Sequence, residues 1–199
     1  MTLTKRQQAA LETRRKIIEA AYQLIEEKGL DHIMVEDITK KAGVSKGSFY
    51  TYFKKKEDII EVIGQGPVMK INEELSKMDQ KIAIKLSYFF VQYLSAMKTQ
   101  GVYLTKEFLS GELNHETHTR YSYDEKAIKD LLDLAVTHRE LKKETPVDLL
   151  TGILLSNLYG MGYQYVMSQG NFDINKYAKS YFDQVILPLL DRYEEERHG

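Results

Sequence analysis

Between Ser45 and Lys56 the chain reads SKGSFYTYFKKK, a run in which hydroxyl and ammonium donors surround one glycine. Lys46 can donate to guanine O6 or N7, and Tyr50 can lay its ring on a thymine methyl while its hydroxyl meets a phosphate. Gly47 lets a helix backbone approach closely, with Thr51 on the same face. Ser48 and Tyr52 flank that face, within reach of the sugar-phosphate strands. Lys54, Lys55 and Lys56 stand where the following helix starts, so exposed N–H groups there add to phosphate binding. With Ser45 as the helix N-cap, the set expected to touch DNA is Ser45, Lys46, Gly47, Ser48, Tyr50, Thr51, Tyr52, Lys54 and Lys56.

Other chemistry is poorly supported. The chain has no cysteine, which excludes disulfides, thiolate metal sites and cysteine nucleophiles. His115 and His118, with Glu112 or Glu116 nearby, invite a metal reading. However, H-E-T-H is one residue short of the zinc-binding H-E-x-x-H, and it lies in the polar run NHETHTRYS, which reads as a loop. Two surface histidines are expected there, with no metal and no cofactor. No nucleophile–base pairing or phosphate-binding glycine loop occurs, so no enzyme is expected.

The elements that must position the basic stretch follow from glycines and apolar spacing. A first helix is expected from about Gln8 to Lys28, with a stripe of Leu11, Ile17, Ile18, Ala21, Tyr22, Leu24 and Ile25. Gly29 ends it, and an arm with Lys5 and Arg6 precedes it. A short helix from Val35 to Ala42 turns Val35, Ile38 and Ala42 inward, and Gly43 stops it. A second runs from Lys46 to Tyr52 behind the Ser45 cap. Two short helices joined through a glycine turn stack at a steep angle and leave the second free to enter a major groove. Phe49 and Phe53, four apart, point the same way and pack on Ile38 and the first helix. Lys46, Gly47, Tyr50 and Thr51 are left on the opposite face.

A fourth helix opens at KKKEDII, and Gly64-Gln65-Gly66-Pro67 is expected to interrupt it, since Pro67 suits the first turn of a new helix. That break is a candidate hinge. Further helices are expected at about 79–99, 103–113, 123–142, 146–168 and 174–196, with a turn at Asn171. The fold class is all-α, divided at about 1–60 and 61–199.

Composition agrees with that reading. Hydrophobic residues make up 43% of 199, enough for a core, and only three prolines interrupt helix formation. The formal charge of −1 hides an asymmetry: residues 1–56 hold 12 Lys/Arg against 7 Asp/Glu, although the whole chain holds 28 against 29. A basic first quarter on an acidic body points to a polyanion met by that quarter. No stretch approaches the roughly 20 apolar residues that span a bilayer, and none resembles a secretion signal. A cytoplasmic protein without a membrane partner is expected.

The stretch from about Thr13 to Ile60 resembles the DNA-binding domain of the tetracycline-repressor (TetR) family of bacterial transcription regulators. Gly29, Leu30, Ile38, Ala42, Gly43, Val44, Ser45, Gly47, Phe49, Tyr50, Tyr52, Phe53, Lys56 and Glu57 fall in register with that family's pattern. The resemblance implies that Lys46, Gly47 and Tyr50 face bases, and that Ser48, Tyr52 and Lys56 hold phosphates. Ile33 and Met34 depart from it where the family often has Thr or Ser, and Thr39 replaces a frequent alanine. Glu36 holds a position that some members use for base contact.

The same resemblance implies that residues 61–199 form a helical ligand-sensing and dimerisation domain. The helix at 146–168 is apolar almost all round, so it must be covered on more than one side. With the last helix it resembles the family's two-helix dimer face, for which Leu150, Leu154, Leu158, Tyr165, Tyr181, Phe182, Val185 and Leu189 are the candidates. Burial within the chain itself is the other reading of those residues. Gly152, Gly160 and Gly162 allow close helix approach. Phe89, Tyr93, Met97, Glu107, Phe108, Tyr159 and Met161 suit an amphipathic small ligand, and Glu107 and Glu112 a cationic one. The function implied is a ligand-responsive regulator that binds a palindromic double-stranded DNA operator as a homodimer, blocks transcription, and is released by a small-molecule effector. An activator, or a ligand-independent DNA-binding protein of the same fold, remains the alternative.

Overall fold

Two residues on either side of the first helix boundary fix where it begins. In the computed structural model, which describes residues 4–114 and 119–195 with side chains except at 112–114 and 119–120, Thr4 caps α1 (Lys5–Lys28). Its hydroxyl accepts from the Gln7 N–H at 3.3 Å, and the Gln7 side-chain oxygen accepts from the Thr4 N–H at 2.9 Å. This reciprocal cap starts the helix ahead of Gln8, so Lys5 and Arg6 belong to its first turn and not to an arm. His115, Glu116 and His118, and the side chain of Glu112, lie outside the described residues.

The chain divides into two compact units, Met1–Gly66 and Pro67–Gly199. In the first, a 3₁₀ turn (Leu30–His32) follows α1, then α2 (Val35–Ala42) and α3 (Lys46–Tyr52). Gly43 ends α2 in the left-handed region at φ 67°, which costs a glycine little. The Val44 N–H then closes on the Thr39 carbonyl at 3.0 Å, completing the turn between the two short helices. Ile17, Ala21, Leu24, Ile25, Ile38, Phe49 and Phe53 bury together as the core. Val35 and Ala42 are half-buried, and Thr39 takes an inward place with its hydroxyl donating to the Glu36 carbonyl.

The fourth helix departs from expectation. α4 runs unbroken over Asp58–Lys77 with Pro67 inside it, so the Gly64–Pro67 segment is neither a gap nor the start of a new helix. An interior proline costs roughly 3 kcal/mol. Apolar residues on both sides of it, Ile59 in the first unit and Val68, Ile71 and Leu75 in the second, are buried and anchor the flanking turns.

The second unit holds α5 (Ile82–Asn114), α6 (Thr119–Thr137), α7 (Val147–Met167), α8 (Ile174–Tyr181), a π turn (Phe182–Ile186) and α9 (Leu187–Asp191). α5 packs against α6, α7 and α8. It bends at Gly101 (φ 85°), where the Thr105 hydroxyl lies 2.7 Å from the Gly101 carbonyl and 3.1 Å from that of Met97 and donates to them. The expected helices at 79–99 and 103–113 are the two arms of that bend. α6 begins before residue 123 and stops at Thr137. The last expected helix is divided: Pro188 lacks an N–H, and the wider π turn before it gives the Leu187 N–H to the Phe182 carbonyl. Among the described residues no helix is long and apolar enough to cross a membrane.

Candidate nucleic-acid interface

The third helix presents two faces at adjacent residues. Phe49 is fully buried, while Tyr50 is 50% exposed. Phe49 meets Phe53 with ring centroids 5.6 Å apart, and the Arg14 guanidinium lies 5.6 Å over the Phe53 ring, a cation–π contact that ties α3 to α1. The inner face thus fixes the rotation of the helix. Lys46, Gly47, Tyr50 and Thr51 are all exposed on the other side.

Local bonds decide which donors remain available there. Ser45 accepts from the Ser48 N–H at 3.0 Å, and the two hydroxyls lie 2.9 Å apart. The Thr51 hydroxyl donates back to the Gly47 carbonyl at 3.0 Å. Asp58 Oδ2 accepts from the N–H groups of both Lys54 and Lys55, so two of the three amides expected to face phosphate are already engaged. The Lys54 and Lys55 ammonium groups stay exposed.

Lys56 stands apart from the rest of the expected set. Its ammonium donates to the carbonyl oxygens of Leu30 and Ile33, at 2.7 and 2.9 Å, and is half-buried. It braces the 3₁₀ turn in place of reaching outward. At the atypical start of α2, Met34 supplies no side-chain oxygen; the Asp37 carboxylate accepts from the Met34 N–H at 2.8 Å instead.

Lys46 is not alone on its face. Its Nζ lies 2.5 Å from Glu36 Oε1, across the gap between α2 and α3. The hydrogen bond to Lys46 holds the Glu36 carboxyl below its usual range, and the same bond raises Lys46. Helical spacing within α3 gave no sign of this pair.

In the second unit, a carboxylate that was not anticipated stands at the centre of the aromatic set. Asp124 is fully buried and accepts from the hydroxyls of Tyr93 and Tyr159 at 2.5 and 2.9 Å. Burial, and then the charges of Tyr93 and Asp124, push the Tyr159 hydroxyl far above its ordinary range. Phe108 and Tyr121 each pack on the Tyr159 ring at 5.9 Å. Phe89, Met97 and Met161 are buried nearby in the same core, and Glu107 is half-buried. The signal was present in sequence: Asp124 lies one turn before Ile128 and two before Leu132, on the buried stripe of α6.

Five of the eight residues expected at the dimer face point into the chain's own core. Leu150, Leu154, Leu158 and Tyr165 are buried within the chain's own core, as is Phe182. An all-round apolar helix carries no periodic signal for which side faces in, and burial within the chain is the reading that holds for these five. The surface side of α7 carries Leu149, Gly160, Tyr163 and Met167, with Ile153 half-buried. Beyond it, Val185 is exposed and Tyr181 and Leu189 are half-buried, the Tyr181 hydroxyl donating to Asn157. Of the three glycines expected to permit close approach, only Gly162 is crowded: a Cβ there would meet Met97 Sδ at 2.9 Å. Among the described residues no group of three acidic, His or Cys side chains could hold a metal.

Comparison with known proteins places this geometry. Residues 17–63 match the family described as bacterial regulatory proteins, tetR family. The chain is 48% identical over 50 residues to the uncharacterised HTH-type transcriptional regulator YvdT of Bacillus subtilis (strain 168), covering 25% of this chain and 26% of that one. It is 23% identical over 205 residues to the HTH-type transcriptional regulator AcrR of Shigella flexneri, covering 95% and 93%. The match to YvdT thus spans about a quarter of its length. The fold is shared with the transcriptional regulator FadR from Bacillus subtilis, crystallised with stearoyl-CoA: TM-score 0.69 at 22% identity, over 85% of this chain and 96% of that one. All three are described as transcriptional regulators.

Proposed function

We propose that the chain, whose residues 17–63 match the family described as bacterial regulatory proteins, tetR family, binds a palindromic operator as a homodimer and releases it when a small amphipathic molecule enters the second unit. The observation that carries the reading is the split of α3 into a buried Phe49 and an exposed Tyr50. A helix held rigidly by its inner face, with Lys46, Gly47 and Tyr50 outward, suits base contact in the major groove. Tyr52, Ser48, Thr51 and the Lys54 ammonium flank that face and suit phosphate contact, with Ser45 as cap. Lys56 acts on the fold of the unit and not on DNA.

One recognition helix reads few base pairs, and a two-fold pair doubles the site. The exposed apolar row Leu149, Tyr163 and Met167, with Val185, Tyr181 and Leu189, is the surface proposed for that pairing. An amphipathic effector suits the Phe108, Tyr121 and Tyr159 rings around the Asp124–Tyr93–Tyr159 hydrogen bonds. Stearoyl-CoA, bound by the regulator of like fold, is the first compound to test.

The test is enrichment of duplexes from a random library by the purified protein. A palindromic consensus bound by two chains, and lost on adding an amphipathic ligand, is the expected result. Recovery of no consensus would sink the operator reading, and a bound species of one chain would sink the dimer.

A further inference from the structure

The ammonium assigned above to guanine already has an anion beside it. Glu36 Oε1 lies 2.5 Å from Lys46 Nζ, and the two side chains are 58% and 54% exposed. Water screens such a pair, so it opens readily when a better partner arrives. The carboxylate itself is well placed to stay ionised. It sits in the first turn of α2, where the helix dipole favours negative charge, and the Lys46 hydrogen bond lowers its proton affinity.

A fixed negative charge on a face built for a polyanion has a consequence. Whenever Lys46 leaves Glu36 for a phosphate, the carboxylate is left uncompensated near the DNA strands, and the two repel. Phosphates are the same in every sequence, so that exchange gains little on arbitrary DNA. The balance changes only where the groove offers Glu36 a donor of its own. Cytosine N4 is that donor in the major groove, and its paired guanine offers O6 and N7 to Lys46.

We propose that Glu36 is a specificity-determining residue: it keeps Lys46 from phosphates on arbitrary duplex and releases it at a base step that offers an amino group to the carboxylate and a guanine to the ammonium. The proposal rests on α3 as the recognition helix. It assigns Glu36 a role opposite to that of the surrounding lysines, since it weakens binding in general and sharpens choice.

The test compares a duplex enriched by the wild type with a scrambled duplex over a salt series, for the wild type, Glu36→Gln, Lys46→Gln and the double variant. Glu36→Gln is expected to bind the scrambled duplex about five- to tenfold tighter, and its log K against log [salt] slope to steepen by about 0.9, one more phosphate contact. The ratio of enriched to scrambled affinity falls about tenfold. In the Lys46→Gln background the same substitution leaves the slope unchanged. A Glu36→Gln slope and ratio equal to wild type overturn the proposal, as does a slope change that persists in full without Lys46. A wild type that enriches no sequence removes the recognition-helix reading itself, and this is seen before any variant is measured.

Discussion

The Lys56 ammonium lies 2.7 Å from the carbonyl oxygen of Leu30, a residue 26 positions earlier in the chain. Together with the Ile33 carbonyl it satisfies two backbone acceptors of the turn that launches α2. Lys56→Met removes the donor and leaves both acceptors in a half-buried place, at a cost of about 1–3 kcal/mol. The melting temperature of the first unit is expected to fall by several degrees, at roughly 4–8 °C per kcal/mol for a domain of this size. Calorimetry decides it: an unchanged melt with a reduced salt slope of DNA binding would return Lys56 to the phosphate set.

Lys54 has the opposite assignment. Its side chain is exposed, and its backbone N–H is engaged by Asp58. Lys54→Ala is expected to leave the melt unchanged and to weaken binding to all duplexes alike, lowering the salt slope by about 0.9. Binding isotherms at four or five salt concentrations check this, and a sequence-selective loss would contradict it.

The two sides of α7 separate stability from assembly. Leu154 is 3% exposed, and Leu154→Ala should cost roughly 2–5 kcal/mol of folding stability. Tyr163 is 59% exposed, so Tyr163→Glu should keep the helical circular dichroism and shift the protein to a single chain by sedimentation. A Tyr163→Glu variant that still sediments as two chains would remove this surface from the dimer.

Tyr159 predicts a pH dependence. Burial raises its folded-state pKa far above that of an unfolded tyrosine, about 10. Below about pH 10 both states hold the proton and the contribution is fully present; above it the unfolded state loses the proton and the folded state does not. Stability therefore falls as pH rises past about 10, and Tyr159→Phe should flatten that fall. Chemical denaturation between about pH 8 and 11 measures it, and an equally steep fall in the variant would refute the assignment.

Residues whose structural role depends on near neighbours in sequence were readable. Gly43 and Ser45 mark the turn and cap by chemistry that acts over three or four positions, and the Phe49–Phe53 spacing told which side of α3 faces in. Roles set by distant partners were not. Lys56 looks like one more cation in a basic run until the carbonyls of Leu30 and Ile33 come beside it. Leu150 and Leu149 are both leucines on an all-round apolar helix, and only the packing of α7 on α5 and α6 says which is core. Pro67 reads as a break because local propensity opposes it, yet α4 continues through it, with buried residues on either side. Asp124 could have been noticed, since a carboxylate on a buried stripe requires partners.

The central claim is that the exposed face of α3 reads DNA sequence, and Tyr50 is its most exposed aromatic residue. The direct measurement is the affinity of wild type and Tyr50→Ala for an enriched duplex and for a scrambled one, at matched salt. The account predicts a wild-type ratio of about 10³ or more, with Tyr50→Ala losing about 1–3 kcal/mol on the enriched duplex and keeping the wild-type affinity for the scrambled one. A wild type that binds both duplexes alike, or a Tyr50→Ala ratio equal to wild type, would contradict it.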